Sequence, residues 1–234
     1  MAGAATQATT RAAGIGDATL DELRLILAPG IAQAAVFDGW SDTALDAVAQ
    51  SEGVDPAIAR LAFPDEGLQG RAMAMIGAWI ASVDARMAAH FADGRLDNMP
   101  IRDRIRELIT FRLNAAQGLE EALSRALAIQ AMPQNVARSL KTGWSSADKM
   151  WRLAGDNATD YNHYTKRATL GAIYTATLAV FVGDESEDKA ETMAFLDRRI
   201  AGIMRFEKAK AQVFGQREHF DVARFLGRLR YPQK

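Results

Sequence analysis

Three histidines, His90, His163 and His219, and no cysteine make up the stock of soft ligands and strong nucleophiles in this 234-residue chain. Metal-binding helices repeat such ligands one turn apart, as in HExxH or ExxH, and none of the three histidines stands in such a pattern. There is no phosphate loop, no G-x-S-x-G elbow and no dinucleotide fingerprint; Gly14-Ile15-Gly16 precedes a helical pattern rather than following a strand. Carboxylates are abundant, but on helices most of them are solvated faces or ion pairs. No catalytic residue, metal or cofactor is expected, and the chain reads as no enzyme.

Unusual side chains gather instead in one run: Met150, Trp151, Arg152, Leu153, Ala154, Gly155, Asp156, Asn157, Ala158, Thr159, Asp160, Tyr161, Asn162, His163, Tyr164, Thr165, Lys166, Arg167. Gly155 and Asp156 predict a turn after a short helix, and Thr159 or Asp160 caps the next one. On that second helix Asp160 and Tyr164 are four apart, as are His163 and Arg167, so each pair shares a face. Trp151 and Tyr164 are spaced to flank a common groove. A plainer reading stands beside this one: Trp151 fills core, Asp160 only caps, and Arg167 pairs with a surface carboxylate. Both readings are compatible.

The elements that hold this run are helices. Ala, Leu, Arg, Met and Glu are frequent, and strand-forming residues never gather into alternating stretches, so the fold class is all-α. Leu20, Leu23, Ile26, Leu27 and Ile31 give a first helix, capped by Asp17 and kinked near Pro29. Ser41 or Asp42 caps a second helix, and Asp55-Pro56 begins a third, with Ile58 and Leu61 pointing inward. Longer helices follow over about 68–91, 101–114, 118–130, 160–181 and 187–214. Between them a helix starts near Asn135, and Ser146 caps another through Leu153. The chain divides into a disordered leader (1–16), a helix-turn-helix-like subdomain (17–66), a larger helical domain (67–215) and a basic amphipathic helix (216–234). No stretch has the roughly 20 apolar residues that a spanning helix needs.

Charge separates the two ends. Between Ser41 and Gly67 six acids face Arg60 alone, and the segment from Glu52 to Pro64 resembles the recognition-helix region of TetR-family regulators without their basic residues. Phosphate would be repelled there, so nucleic acid is not an expected partner. From Arg198 to Lys234 there are ten Lys or Arg residues against three acids, in a chain of net charge -1. Within that tail Val222, Phe225, Leu226 and Leu229 share one face and Arg224 and Arg228 the other, the pattern of a helix that lies on a membrane surface or docks on a bundle. Met73, Met75, Met193 and Met204 suit either a pocket for a flexible chain or ordinary core.

The run from Met150 to Arg167, continued by Leu170, Ala172, Ile173, Tyr174, Thr177, Phe195, Leu196 and Arg199, resembles the signature of the Coq-nine family, lipid-binding accessory proteins of ubiquinone biosynthesis. The resemblance implies a TetR-like fold without DNA binding, a homodimer, and an apolar pocket for isoprenoid quinone precursors, which makes the helical domain over 67–215 lipid-binding. It also implies a partner, the Coq-seven di-iron hydroxylase or another quinone-ring hydroxylase, that performs the chemistry. The implied lipid-pocket or partner-patch residues are Met150, Trp151, Asp160, His163, Tyr164 and Arg167, and His163 stands where the family often has tryptophan. The implied membrane contact is Val222, Arg224, Phe225, Leu226, Arg228 and Leu229, on a cytoplasmic protein held peripherally at the inner membrane. A TetR-type ligand-responsive transcriptional regulator is the alternative.

Overall fold

The computed structural model describes residues 17–65, 70–156 and 161–215, with side chains through Gly202 apart from those of Tyr161 and Asn162. Among the described residues there are nine α-helices, two short 3-10 turns and no strand. The helices are α1 (Leu20–Asp38), α2 (Asp42–Ser51), α3 (Pro56–Ala62), α4 (Gly70–His90), α5 (Ile101–Asn114), α6 (Glu120–Ala131), α7 (Val136–Leu153), α8 (Tyr161–Gly183) and α9 (Ala190–Gly215). The leader over 1–16 and the basic helix over 216–234 lie outside the described residues. Among the described residues no helix is long and apolar enough to cross a membrane.

Local chemistry sets the helix ends. Thr19, not Asp17, caps α1: its hydroxyl accepts from the Glu22 N–H, and the Glu22 carboxylate accepts from the Thr19 N–H at 2.9 Å. This reciprocal box satisfies two donors at once, which Asp17, two residues further out, does not do. α1 runs unbroken through Pro29. Leu23, Leu27, Ile31 and Ala35, four apart, form its buried stripe against α4 and α2. At its far end Gly39 takes φ +68°, and Arg125 from α6 donates to the carbonyls of Ala35 and Phe37, supplying positive charge where the helix needs it.

Ser41 and Asp55 cap α2 and α3 as their types predict. The inward face of α3 differs from expectation: Ala59 and Ala62 are buried, whereas Ile58 and Leu61 are exposed, Leu61 by 67%. α3 is only seven residues long, and its small alanines let it lie close on its neighbours, which turns the larger side chains outward. α7 also departs from the expected pair of helices. It is continuous for 18 residues, because neither Gly143 nor Ser146 breaks it, and Ser146 sits buried in mid-helix rather than at a cap.

Candidate functional site

Six residues of α8 recur at helical spacing and are all small: Ala168, Gly171, Ala172, Thr175, Ala176 and Ala179. Positions i, i+3, i+4, i+7, i+8 and i+11 make one stripe, and a stripe without bulk leaves room in front of it. That room is a cavity of about 960 Å³, near the top of the roughly 300–1,000 Å³ range of ligand pockets. Its other walls are Ile76, Trp79, Ile80 and Val83 of α4, Leu123 and Leu127 of α6, and Val136, Leu140 and Trp144 of α7. At its mouth Leu140 is 70% exposed, with Val136 and Trp144 partly exposed beside it.

The end of α7, the turn at Gly155 and Asp156, and Lys166 and Arg167 of α8 form the joint between these two helices. Arg167 is buried; it donates from Nε to Asp148 at 2.5 Å, from Nη1 to Asp156 at 3.4 Å, and to the carbonyl of His163 at 3.1 Å. Lys166 reaches Asp156 at 2.6 Å, and Arg152 reaches Asp148 at 2.8 Å. Burial pushes both carboxyls up, yet the cations around them win and hold Asp148 and Asp156 below the ordinary aspartate range. Gly155 makes the turn with φ +87°, and a Cβ there would lie 2.9 Å from Arg104, whose guanidinium bonds the carbonyl of Ala154. The joint is thus fastened to α5 as well.

The expected residues separate on inspection. Arg167 is both a joint and part of the cavity wall. Trp151 is half-buried and donates its indole N–H to the Lys166 carbonyl at 3.0 Å, under the Lys166 ammonium. It does not form the groove expected with Tyr164; Trp144 does, with ring centroids 6.0 Å apart. Tyr164 is 61% exposed and meets the His163 ring edge-on at 5.1 Å. Met150 is fully buried and reaches no surface patch, since its position on α7 faces the core. Met73 and Met75 are buried too. Asp160 and the six tail positions Val222, Arg224, Phe225, Leu226, Arg228 and Leu229 lie outside the described residues.

A polar cluster interrupts the apolar wall. Arg112 of α5 and Asp84 of α4, both buried, form an ion pair. Ser146 Oγ donates to Asp84 at 3.2 Å and accepts from Arg112 Nη2 at 3.4 Å, while Lys149 reaches Asp84 at 3.0 Å. The Arg112 guanidinium lies over the Tyr174 ring at 4.8 Å. Burial acts to lower the Arg112 pKa, but Tyr174 and Asp84 outweigh it and raise the group above its ordinary value. Neither Asp84 nor Arg112 is marked out by the sequence, since a lone Asp in an Ala-rich helix and one Arg among several in a basic one carry no local sign of pairing. The small stripe on α8 was the legible signal, and it reads only once the facing helix is known. Among the described residues no cluster of His, Cys, Asp or Glu is arranged to hold a metal ion.

Residues 136–207, which hold the joint, the small stripe and the mouth, match the family model COQ9. The rat protein "Ubiquinone biosynthesis protein COQ9, mitochondrial" is 32% identical over 182 residues, covering 75% of this chain and 56% of its own length. The cattle protein of the same name is 31% identical, covering 75% and 55%. The chain therefore spans about half the length of the curated relatives it matches. In structure it is similar to a TetR transcriptional regulator from Nitrosomonas europaea, with TM-score 0.59 and 19% identity over 77% of this chain and 95% of that one. That likeness concerns the fold alone: the chain is similar to the COQ9 proteins, most specifically over residues 136–207, and has an all-α scaffold of TetR type.

Proposed function

We propose that this protein serves ubiquinone biosynthesis as a lipid-binding accessory protein, sheltering the isoprenoid tail of a quinone precursor while a separate ring hydroxylase does the chemistry. The observation that carries this reading is the apolar cavity of about 960 Å³ walled largely by the COQ9-like region. Each buried CH2 is worth about 0.8 kcal/mol against water, so a free prenyl chain is never a practical intermediate and an enclosed path is needed. The exposed apolar mouth at Leu140, Trp144 and Tyr164 suits contact with a Coq-seven-like hydroxylase. The basic amphipathic tail would bring the protein peripherally to the membrane on its cytoplasmic side, and a homodimer is the working assembly. The protein itself contributes no catalysis in this reading.

Mass spectrometry of an organic extract from the purified protein tests it. A co-purified isoprenoid quinone precursor is the expected result, and an extract no richer in isoprenoids than a mock purification would defeat the proposal.

A TetR-type regulator is the second reading, favoured by the fold likeness. It fits the charge less well: α3 turns Ile58 and Leu61 outward, Arg60 is bound to Asp46, and Arg71 to Asp42 at 2.6 Å. A gel shift with genomic fragments at low salt separates the two, since even weak operator binding appears there.

A further inference from the structure

An alkyl chain gains almost nothing by leaving a bilayer for an apolar cavity, because both environments are dry. Capture and selection must then come from the polar end of the ligand. Arg112 is the buried charge best placed to supply them. Its Nη1 is bound to Asp84 and its Nη2 to Ser146, but its Nε–H, buried, has no acceptor in the protein. A buried donor on a charged group nearly always has a partner. Arg112 lines the cavity, and so does Tyr174, whose ring lies on the guanidinium.

The charge is unbalanced as well. Arg112 and Lys149 both lean on the single carboxylate of Asp84, leaving one positive charge in excess beside an apolar chamber. Arg167, the other buried cation of the wall, is occupied differently: Asp148 and Asp156 both bind it. Net charge does not separate the two arginines, since Arg152 and Lys166 share those carboxylates; the open Nε–H of Arg112 does.

We propose that the cavity contains a head-group subsite at Arg112, built for an anionic oxygen group, carboxylate or phosphate, at the end of an apolar chain. One oxygen accepts from Nε after the Tyr174 ring slides off the guanidinium, and the chain runs past the α8 stripe toward Leu140 and Trp144. Asp84 and Ser146 are positioning residues that fix the fork of the arginine. This inference rests on reading the cavity as a lipid site and adds what end of the lipid it selects.

The test uses the full-length, delipidated protein with Nile red, a neutral dye, as reporter of cavity occupancy. Oleate, oleyl phosphate and methyl oleate compete with it; they share a chain and differ in the head. At least one anion should displace the dye about tenfold better than the ester, the worth of one charge-assisted hydrogen bond, and the better anion identifies the head. In the paired variant Asp84→Asn with Arg112→Met, which removes both buried charges together, the preference should fall to about twofold or less, with Nile red still bound. Lys149→Met, a half-exposed site, should weaken the preference about threefold without disturbing the fold. Equal displacement by anions and ester in the wild type, or a preference unchanged in the variants, overturns the subsite while leaving the lipid site standing. Failure of Nile red and every oleoyl compound to bind overturns both.

Discussion

The N-terminal unit and the α7–α8 pair use the same small residues to opposite ends. In α1 and α2, Ala28, Ala32, Ala35, Ala44 and Ala49 are all fully buried, and a Cβ on Gly30 would lie 2.9 Å from Val48. Small side chains there bring two helices into contact. On α8, Ala168, Ala172, Thr175 and Ala179 are equally small yet remain exposed along the cavity. The difference lies in what holds the partner. α1 and α2 are joined by a short turn and pack on each other, whereas α7 and α8 are fixed to each other at the Arg167 ion pairs and the α8 stripe beyond that joint faces the cavity. A stripe of alanine thus means contact or void according to the brace, not the alanine.

Removing the brace should have the largest effect. Arg167→Met strands Asp148 and Asp156 in partly buried positions with only Arg152 and Lys166 left to them. A loss of about 2–4 kcal/mol is expected, at the lower side of the range for breaking buried pairs because those partners remain. Urea unfolding with the midpoint read by circular dichroism measures it, and a loss below about 0.5 kcal/mol would mean that the joint is only a solvated surface cluster.

Matched overpacking is the next test of the comparison. Ala49→Leu forces a larger side chain between closed helices and should cost about 1–3 kcal/mol. Ala172→Leu puts the same atoms into free space and should leave stability within about 0.5 kcal/mol, while weakening Nile red binding. Equal destabilisation at the two sites would show that the cavity wall is as closed as the N-terminal core.

How much of this was legible in sequence follows from the same contrast. Helix positions came from periodicity and from Ser41 and Asp55-Pro56, whose local roles do not depend on neighbours. The run from Met150 to Arg167 was legible by its unusual residues, and Arg167 does meet carboxylates, as its plainer reading had it. Facing was less legible. Ile58 and Leu61 were assigned inward because apolar bulk is the usual marker of a core face, but the core of α3 is its alanines. Trp151 and Tyr164 stand in one run and so read as a pair, yet Trp144, two turns before Trp151 on α7, makes that contact. The Asp84–Arg112 pair joins residues 28 apart on different helices, and only a tertiary arrangement can disclose it.

Trp144→Ala comes next in size. Trp144 is partly exposed and stacks on Tyr164 at the mouth, so its removal should change stability by less than about 1 kcal/mol. It should speed release of Nile red, because the mouth loses its largest lid group. Stopped-flow release measures this, and an unchanged rate would place the exit elsewhere, sharpening where the hollow half opens.

The smallest expected effect, full at neutral pH and fading with acid, concerns the far end of α8. Asp184 accepts hydrogen bonds from the N–H and hydroxyl groups of both Ser186 and Thr192, closing the turn into α9. Burial raises its pKa, but these four donors outweigh it and hold the carboxyl far below the ordinary aspartate value. A depressed folded pKa gives stability that is complete above the unfolded value of about 3.9 and is lost as pH falls below it. Asp148 and Asp156 are depressed in the same direction, so acid acts chiefly on the α7–α9 half, whereas the depressed carboxyl of the N-terminal unit, Glu22, belongs to an exposed cap. Asp184→Asn should therefore melt below the wild type at pH 7, and the gap should narrow steadily between pH 4 and pH 2 as the unfolded wild type takes up a proton that the folded carboxylate does not. Melting curves of both proteins across that range decide it: a gap independent of pH would mean that the turn depends on the shape of the side chain rather than its charge, and the acid sensitivity of the hollow half would then rest on the Arg167 joint alone.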